Sequence, residues 1–478
     1  MMKEWTPLRY QQSAIKFLHN RTLLSGNSSG GGALFLDPGM GKTAIVLEWI
    51  RQMREFGFPS RTLIVAPKTV CRHVWPTEVA TWSNFRHMTH AVAVGNVFDR
   101  RKALATQANI HIINRDAMDW LAKSVAGRER LPWDLLVVDE SGSFRTWSAQ
   151  RSIAMRKLAQ SIPFKVIMNG TPTPNNKVDL FPQLWLLNGE QCPLGKDVTT
   201  FRRRFCAAEG DRDHNRWTIH PAYEGRFDQE VAPMCLRLDI QDYLSMPQKI
   251  EKLVYVDLPP SARAAYEDME KRMFVTLQSG DPREASNAAA KYMCCRQIAS
   301  GHIYDEQKQA HQVHSEMVDA VVDLHEELNR KPLLVAFHFT HELQSLRRAF
   351  PGMRWVAGGV SARETADIVE RWNSDTLRPN VLAVHPMSMA HGVNMQKGSC
   401  RDIVWFGPTD SSEYYQQFNA RVWRMGVGST VRIHKLCAKG TVHELIWQRI
   451  SDKVEMQDDL LLHLRDYARL KGYAPAAR

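Results

Sequence analysis

The chain alternates between short apolar runs and longer stretches whose apolar positions recur at helical spacing. Apolar residues at 14, 15, 17 and 18, after Pro7, predict a helix near the start. Residues 34–36 form an apolar run, the loop Asp37-Pro38-Gly39-Met40-Gly41-Lys42-Thr43 follows, and a helical pattern occupies 44–53. Further apolar runs lie at 61–66, 110–114, 133–138 and 164–168, each closed by polar, Gly or Pro residues. Runs that are apolar on both faces and separated by helices predict a parallel sheet with helices on each side. Residues 201–226 are rich in Arg, His, Asp and Gly, show no clear strand, and read as a basic insertion over about 200–230. A fresh unit begins near 252, with helical material over 262–299, 313–328 and 361–372 and apolar runs at 332–338, 381–385 and 402–406. The pattern predicts two α/β lobes, residues 1–245 and 246–478, the second without a phosphate loop of its own.

In parallel sheets the functional loops gather at the carboxyl ends of strands, and the candidate chemistry lies at those positions. The loop 37–43 has the layout of a phosphate-binding loop. Backbone N–H groups of Gly39, Met40 and Gly41 would surround phosphates, Lys42 would reach the β- and γ-phosphates, and the Thr43 hydroxyl would meet Mg²⁺. The match lacks the first glycine of G-x-x-x-x-G-K-[ST], where Leu36 stands. The run 133–138 ends in Asp139-Glu140. Asp139 would hold Mg²⁺ through water, and Glu140 would orient and deprotonate the water that attacks the γ-phosphate. Gln11, some thirty residues before the loop, offers an amide that both donates and accepts, as an adenine edge requires. Arg421 and Arg424 would share a helical face at i, i+3, either as surface ion pairs or as arginine fingers. Arg202, Arg203 and Arg204 are either a nucleic-acid contact or a solvated helix face.

Composition narrows the field without deciding it. The chain has 478 residues, enough for more than one core, with 44% hydrophobic and 24% charged residues. No apolar run approaches the roughly 20 residues that span a bilayer, and the start has no signal-peptide pattern, so membrane insertion and export are not expected. Eight cysteines without a C-x-x-C pair fit reduced thiols in a cytoplasmic setting better than zinc or disulfides. The net charge of +11 favours a polyanionic partner, modestly.

Taken in order, these motifs resemble helicase superfamily two, its Swi/Snf-like branch related to the DEAD/DEAH-box proteins, and in particular compact bacteriophage members. In that pattern Tyr10-Gln11 is similar to the adenine-reading Q motif, 39–43 to motif I, 66–68 to motif Ia, 139–140 to motif II and 170–172 to motif III. Residues 335–340 correspond to motif IV, 388–396 to motif V, 417–426 to motif VI and 439–444 to the stretch after it. One departure is Asp-Glu-Ser-Gly where the branch has Asp-Glu-Ala-His, which bears on the coupling of motif II to motif III. The resemblance implies two RecA-like parallel-sheet lobes with ATP and Mg²⁺ in the cleft between them, and Gly392 joins the nucleotide-binding set. It further implies an ATP-dependent DNA helicase or translocase that grips DNA through Lys68, Thr171, Thr340, Ser388 and Asn394. An RNA-directed ATPase and a non-catalytic ATP-gated clamp are the alternatives. Replication or recombination proteins are the expected protein partners, and a monomer in bacterial or phage-infected cytosol the expected state.

Overall fold

The computed structural model describes residues 4–451 apart from 24–29, 59–60, 171–175, 210–215, 239–245, 279–281, 306, 389–393 and 425–426. Two compact units divide the chain, Met1–Leu244 and Ser245–Arg478. The first contains β1 (Gly30–Leu36), β2 (Thr62–Ala66), β3 (His90–Ala93), β4 (Ile110–Asn114), β5 (Leu135–Asp139), β6 (Phe164–Asn169), β7 (Cys206–Glu209), β8 (Arg216–Ile219) and β9 (Cys235–Leu238). The second contains β10 (Lys249–Val256), β11 (His302–Tyr304), β12 (Ala310–Gln312), β13 (Leu333–Ala336), β14 (Arg354–Val356), β15 (Val381–Val384), β16 (Asp402–Trp405) and β17 (Val431–Ala438).

Each unit is built on one parallel sheet, ordered β3-β4-β2-β5-β6-β1-β9 in the first and β10-β17-β16-β13-β15-β14 in the second. Every strand that the apolar runs predicted is present. Their middle residues are buried because helices cover both faces, as parallel pairing requires. Each sheet has its own core, around Leu63, Val138 and Ile167 in the first and Val335, Leu382 and Trp405 in the second.

Several elements differ from expectation. The insertion holds an antiparallel hairpin, β7 with β8, where no strand was predicted. It is anchored by Phe201, Phe205 and Phe227, all fully buried, with Phe201 stacked on Phe181 at a centroid distance of 4.4 Å. The strand β17 escaped notice because its sequence mixes His434 and Lys435 with aliphatics. Both are nevertheless buried, since His434 Nε2 bonds Asp402 Oδ1 at 2.9 Å and Lys435 Nζ reaches Glu251 Oε2 at 3.3 Å. The edge strands β3, β9 and β14 are too short to produce a readable pattern. The predicted helix carrying Arg421 and Arg424 ends at Asn419 (Ser412–Asn419), and the chain then turns, Trp423 donating its indole N–H to Pro247 O at 2.8 Å. The two arginines therefore do not share a helical face.

Candidate nucleotide site and nucleic-acid contacts

The order β5-β6-β1 puts the phosphate loop, Asn169 and Asp139 at the carboxyl ends of three neighbouring strands. Leu34 and Asp139 both pair with Met168 in register. With strands about 4.8 Å apart, the loop after β1 and the acids after β5 lie roughly 10 Å from each other across the sheet.

Local chemistry explains the loop's form. Gly39 and Gly41 have φ of 95° and 78°, the left-handed region that glycine tolerates. At Gly41 a Cβ would also stand 2.7 Å from the Gln11 amide nitrogen. Gln11 is buried, donating from Nε2 to Met40 O at 3.1 Å and accepting Leu8 N–H through Oε1 at 2.9 Å. The Tyr10 hydroxyl donates to the same Met40 carbonyl at 3.0 Å. Tyr10 and Gln11 thus fasten the first helix (Arg9–Leu23) to the phosphate loop. Lys42 Nζ donates to Leu36 O at 2.6 Å, and Thr43, half-buried, is the second residue of the following helix, Lys42–Glu55.

Asp139 is buried at the end of β5 and accepts the indole N–H of Trp75 on Oδ2 at 3.1 Å. Burial, then the Glu140 carboxylate, pushes the Asp139 carboxyl up to about 7, against the pull of Lys42 and the Trp75 hydrogen bond. Glu140 has φ 55° and ψ 58°, a strain of about 1 kcal/mol for a residue with a Cβ. Its Oε2 is buried with no hydrogen-bond partner among the described residues. Backbone strain and a buried carboxylate oxygen without a partner among the described residues coincide at this one side chain, which makes Glu140 a candidate functional residue.

The Ser-Gly that follows is integrated differently from a surface turn. The buried Ser141 donates from Oγ to Gln183 Oε1 at 2.7 Å, and Asn169, at the end of β6, approaches the same oxygen at 3.5 Å. A Cβ on Gly142 would meet the Asn169 amide nitrogen at 2.7 Å. The acids after β5 and the end of β6 are therefore joined through Gln183. Sequence reasoning missed Trp75, Asn169 and Gln183, since they gain meaning only from the fold.

Other candidates are placed as follows. Lys68 is exposed just past the carboxyl end of β2, and Thr340 is exposed at the start of the helix after β13. Ser388 is half-buried and Asn394 exposed, on either side of residues 389–393. Thr171 and Gly392 lie outside the described residues. In the helix Val198–Phe205, Arg202 lies over the Trp217 ring at 4.9 Å and Arg204 donates to Pro193 O at 2.6 Å, while Arg203 is exposed. Arg421 and Arg424 are half-buried, and the Arg421 carbonyl accepts Met395 N–H at 3.1 Å, tying the motif V stretch to the motif VI stretch.

The sequence matches the family model described as the SNF2-related domain over residues 10–305, more than half of the chain. Protein p41 of Acyrthosiphon pisum secondary endosymbiont phage 1 is 30% identical, covering 96% of this chain and 99% of its own. The human DNA repair and recombination protein RAD54-like is 22% identical over 96% of this chain and 67% of its own. A Bacillus subtilis relative whose name carries the words ATP-dependent helicase/translocase is 23% identical, and the chain spans 48% of its length. Among solved structures, the Sulfolobus solfataricus SWI2/SNF2 ATPase core in complex with dsDNA aligns over 100% of this chain and 98% of that one, with 18% identity and a TM-score of 0.45. With a family model over most of its length and a phage relative matched nearly end to end, the chain belongs to the SNF2-related family of helicase superfamily two.

Proposed function

We propose that the protein is a DNA-dependent ATPase that couples hydrolysis to movement along the DNA backbone. The observation that carries this reading is Glu140. It is held in a strained conformation beside Asp139, at the carboxyl end of β5, two strands from the phosphate loop, with a buried oxygen that the described residues leave unpaired. The residues fit a magnesium-bound nucleoside triphosphate: loop N–H groups and Lys42 for phosphate, Thr43 and Asp139 for the metal. When bound, that group supplies the scissile phosphate and the divalent charge that balances it. Lys42 would exchange its carbonyl partners for phosphate oxygens, and Glu140 Oε2 would take the proton of the attacking water. Arg421 and Arg424 of the second lobe would act as fingers when the lobes close. Lys68, Thr340, Ser388, Asn394 and the exposed Arg203 would meet backbone phosphates.

Family membership supports DNA as the polymer, and human RAD54-like is named for DNA repair. The deciding experiment measures ATPase rate without polymer and with single-stranded, duplex and forked DNA and matched RNA. Stimulation by DNA above RNA is the expected result. A rate indifferent to every polymer would reject the motor.

A further inference from the structure

The second lobe carries a cleft that the nucleotide and track assignments do not use. It encloses 770 Å³ and is lined by five arginines, Arg347, Arg348, Arg354, Arg371 and Arg378, together with Trp355. Its position follows from the topology. Arg354 is the first residue of β14, paired in register with Leu382 of the parallel β15. Arg347 and Arg348 end the helix Thr340–Ala349, which starts beyond the carboxyl end of β13 and runs back across the sheet. Arg371 lies in the last turn of the helix Ala362–Asn373, and Arg378 in the loop before β15 begins. The cleft is thus at the amino ends of the strands. The helix start at Thr340 and the turn at Ser388 lie at the carboxyl ends, a strand length of about 13 Å away, whereas Asn394 has returned to the cleft's side, its carbonyl accepting the Asn373 side-chain amide at 2.8 Å.

Concentrating guanidinium groups costs energy unless something offsets it. Two helix carboxyl termini account for Arg347, Arg348 and Arg371, whose charges complement the helix dipoles. No helix end accounts for Arg354 or Arg378. Among the described residues none of the five forms an ion pair with a carboxylate. Asp375, three residues before Arg378, accepts instead from Ser399 N at 2.9 Å and Ser399 Oγ at 2.8 Å. Arg378 is pre-positioned, donating to the Asp375 and Leu377 carbonyls, and Arg347 stacks over Trp355 at 4.3 Å. Guanidinium forks match phosphate oxygens, and an arginine–aromatic platform suits bases as well as backbone.

We propose that this cleft binds the phosphates of a second segment of nucleic acid, separate from the segment met by Thr340 and Ser388 at the carboxyl ends. Such a site would let one molecule hold two duplexes, or two parts of one. The double variant Arg354→Gln/Arg371→Gln tests it in the full chain, with a fluorescein-labelled 30-base-pair duplex as probe. Each lost phosphate contact lowers the log–log salt slope by about 0.9, so the double variant should lose about 2 in slope. ATPase activity at saturating DNA should be unchanged. In parallel, phenylglyoxal modification read by mass spectrometry should show the five arginines protected several-fold by duplex DNA. An unchanged slope without protection overturns the proposal, and so does protection by polyglutamate but not by duplex, which would assign the cleft to an acidic polypeptide. Protection that persists in a protein without DNA-stimulated hydrolysis leaves this site standing while the motor reading falls, so the two failures are distinguishable.

Discussion

The two lobes place a helix in the same way and finish it in opposite ways. In the first, the helix Lys42–Glu55 follows β1, its cap is Gly41, and no acidic side chain lies in its first turn. In the second, the helix Thr340–Ala349 follows β13, and Glu342 folds back so that Oε2 accepts the N–H groups of His338 at 2.7 Å and Phe339 at 3.1 Å. Helix N-termini present unpaired donors and a positive dipole end. The second lobe satisfies this demand with its own carboxylate. The first has no acidic side chain in its first turn, and under the proposed function an anion would take that place beside Lys42. The difference teaches why one of two similar parallel sheets is the candidate for nucleotide: the distinction lies in what fills the helix start, not in the architecture.

The largest effect should come from removing the chemistry while keeping the open helix start. Glu140→Gln preserves shape and leaves Asp139 and Lys42 in place, so nucleotide affinity should change little while hydrolysis falls by about 10²-fold or more. A wild-type rate in this variant would mean that the strained acid has another purpose. Next comes the opening itself. Gly41→Ala forces a left-handed residue at about 1–2 kcal/mol and drives a methyl into the Gln11 amide 2.7 Å away. Triphosphate affinity should drop roughly tenfold. Adding Gln11→Ala should recover only part of it, because the backbone strain remains. Full recovery would assign the whole defect to the clash.

A pH prediction sharpens the first lobe's side. The Asp139 carboxyl is raised to about 7 by burial and by Glu140, against about 3.9 in an unfolded chain. Between those values the folded protein binds a proton that the unfolded chain has lost. This group's contribution to stability is therefore full at low pH and is lost as pH rises through the folded value. Metal binding requires the ionised form, so magnesium–nucleotide affinity should rise by up to about tenfold per pH unit below 7 and level off above it. Calorimetry at pH 6.5 in two buffers of different ionisation enthalpy should detect proton release, and Asp139→Asn should abolish it.

How much of this was legible beforehand follows the range of the interactions involved. The loop 37–43 and the pair Asp139-Glu140 are local signals, and the buried runs before them predict their place at the carboxyl ends. Trp75 and Gln183 were invisible because they reach their partners across 64 and 42 residues, from helices whose sequences advertise only apolar packing. The strain at Glu140 is a backbone property that no residue identity announces. Strand β17 hid because its buried basic side chains are paid for by Asp402 and Glu251, both far away in sequence. The turn at Arg421 was misread because helical periodicity continued past the point where Trp423 finds Pro247.

The smallest effect on nucleotide handling should come from the second lobe. Glu342 is buried, and burial raises its carboxyl, yet two backbone N–H groups and nearby Arg296 hold it in place. Glu342→Ala strips those donors of their acceptor. A lost cap of this kind costs about 1–2 kcal/mol, read as a lower denaturant midpoint. Triphosphate affinity should not move, because the open helix start of the first lobe is untouched. The variant also exposes the comparison to a sharper test, since the second lobe would now have an unfilled helix start of its own. Raising phosphate at constant ionic strength should therefore restore more stability to Glu342→Ala than it adds to the wild type. Equal gains would show that the carboxylate was not standing where an anion could go, and the contrast between the lobes would have to rest on Lys42 and the two acids alone.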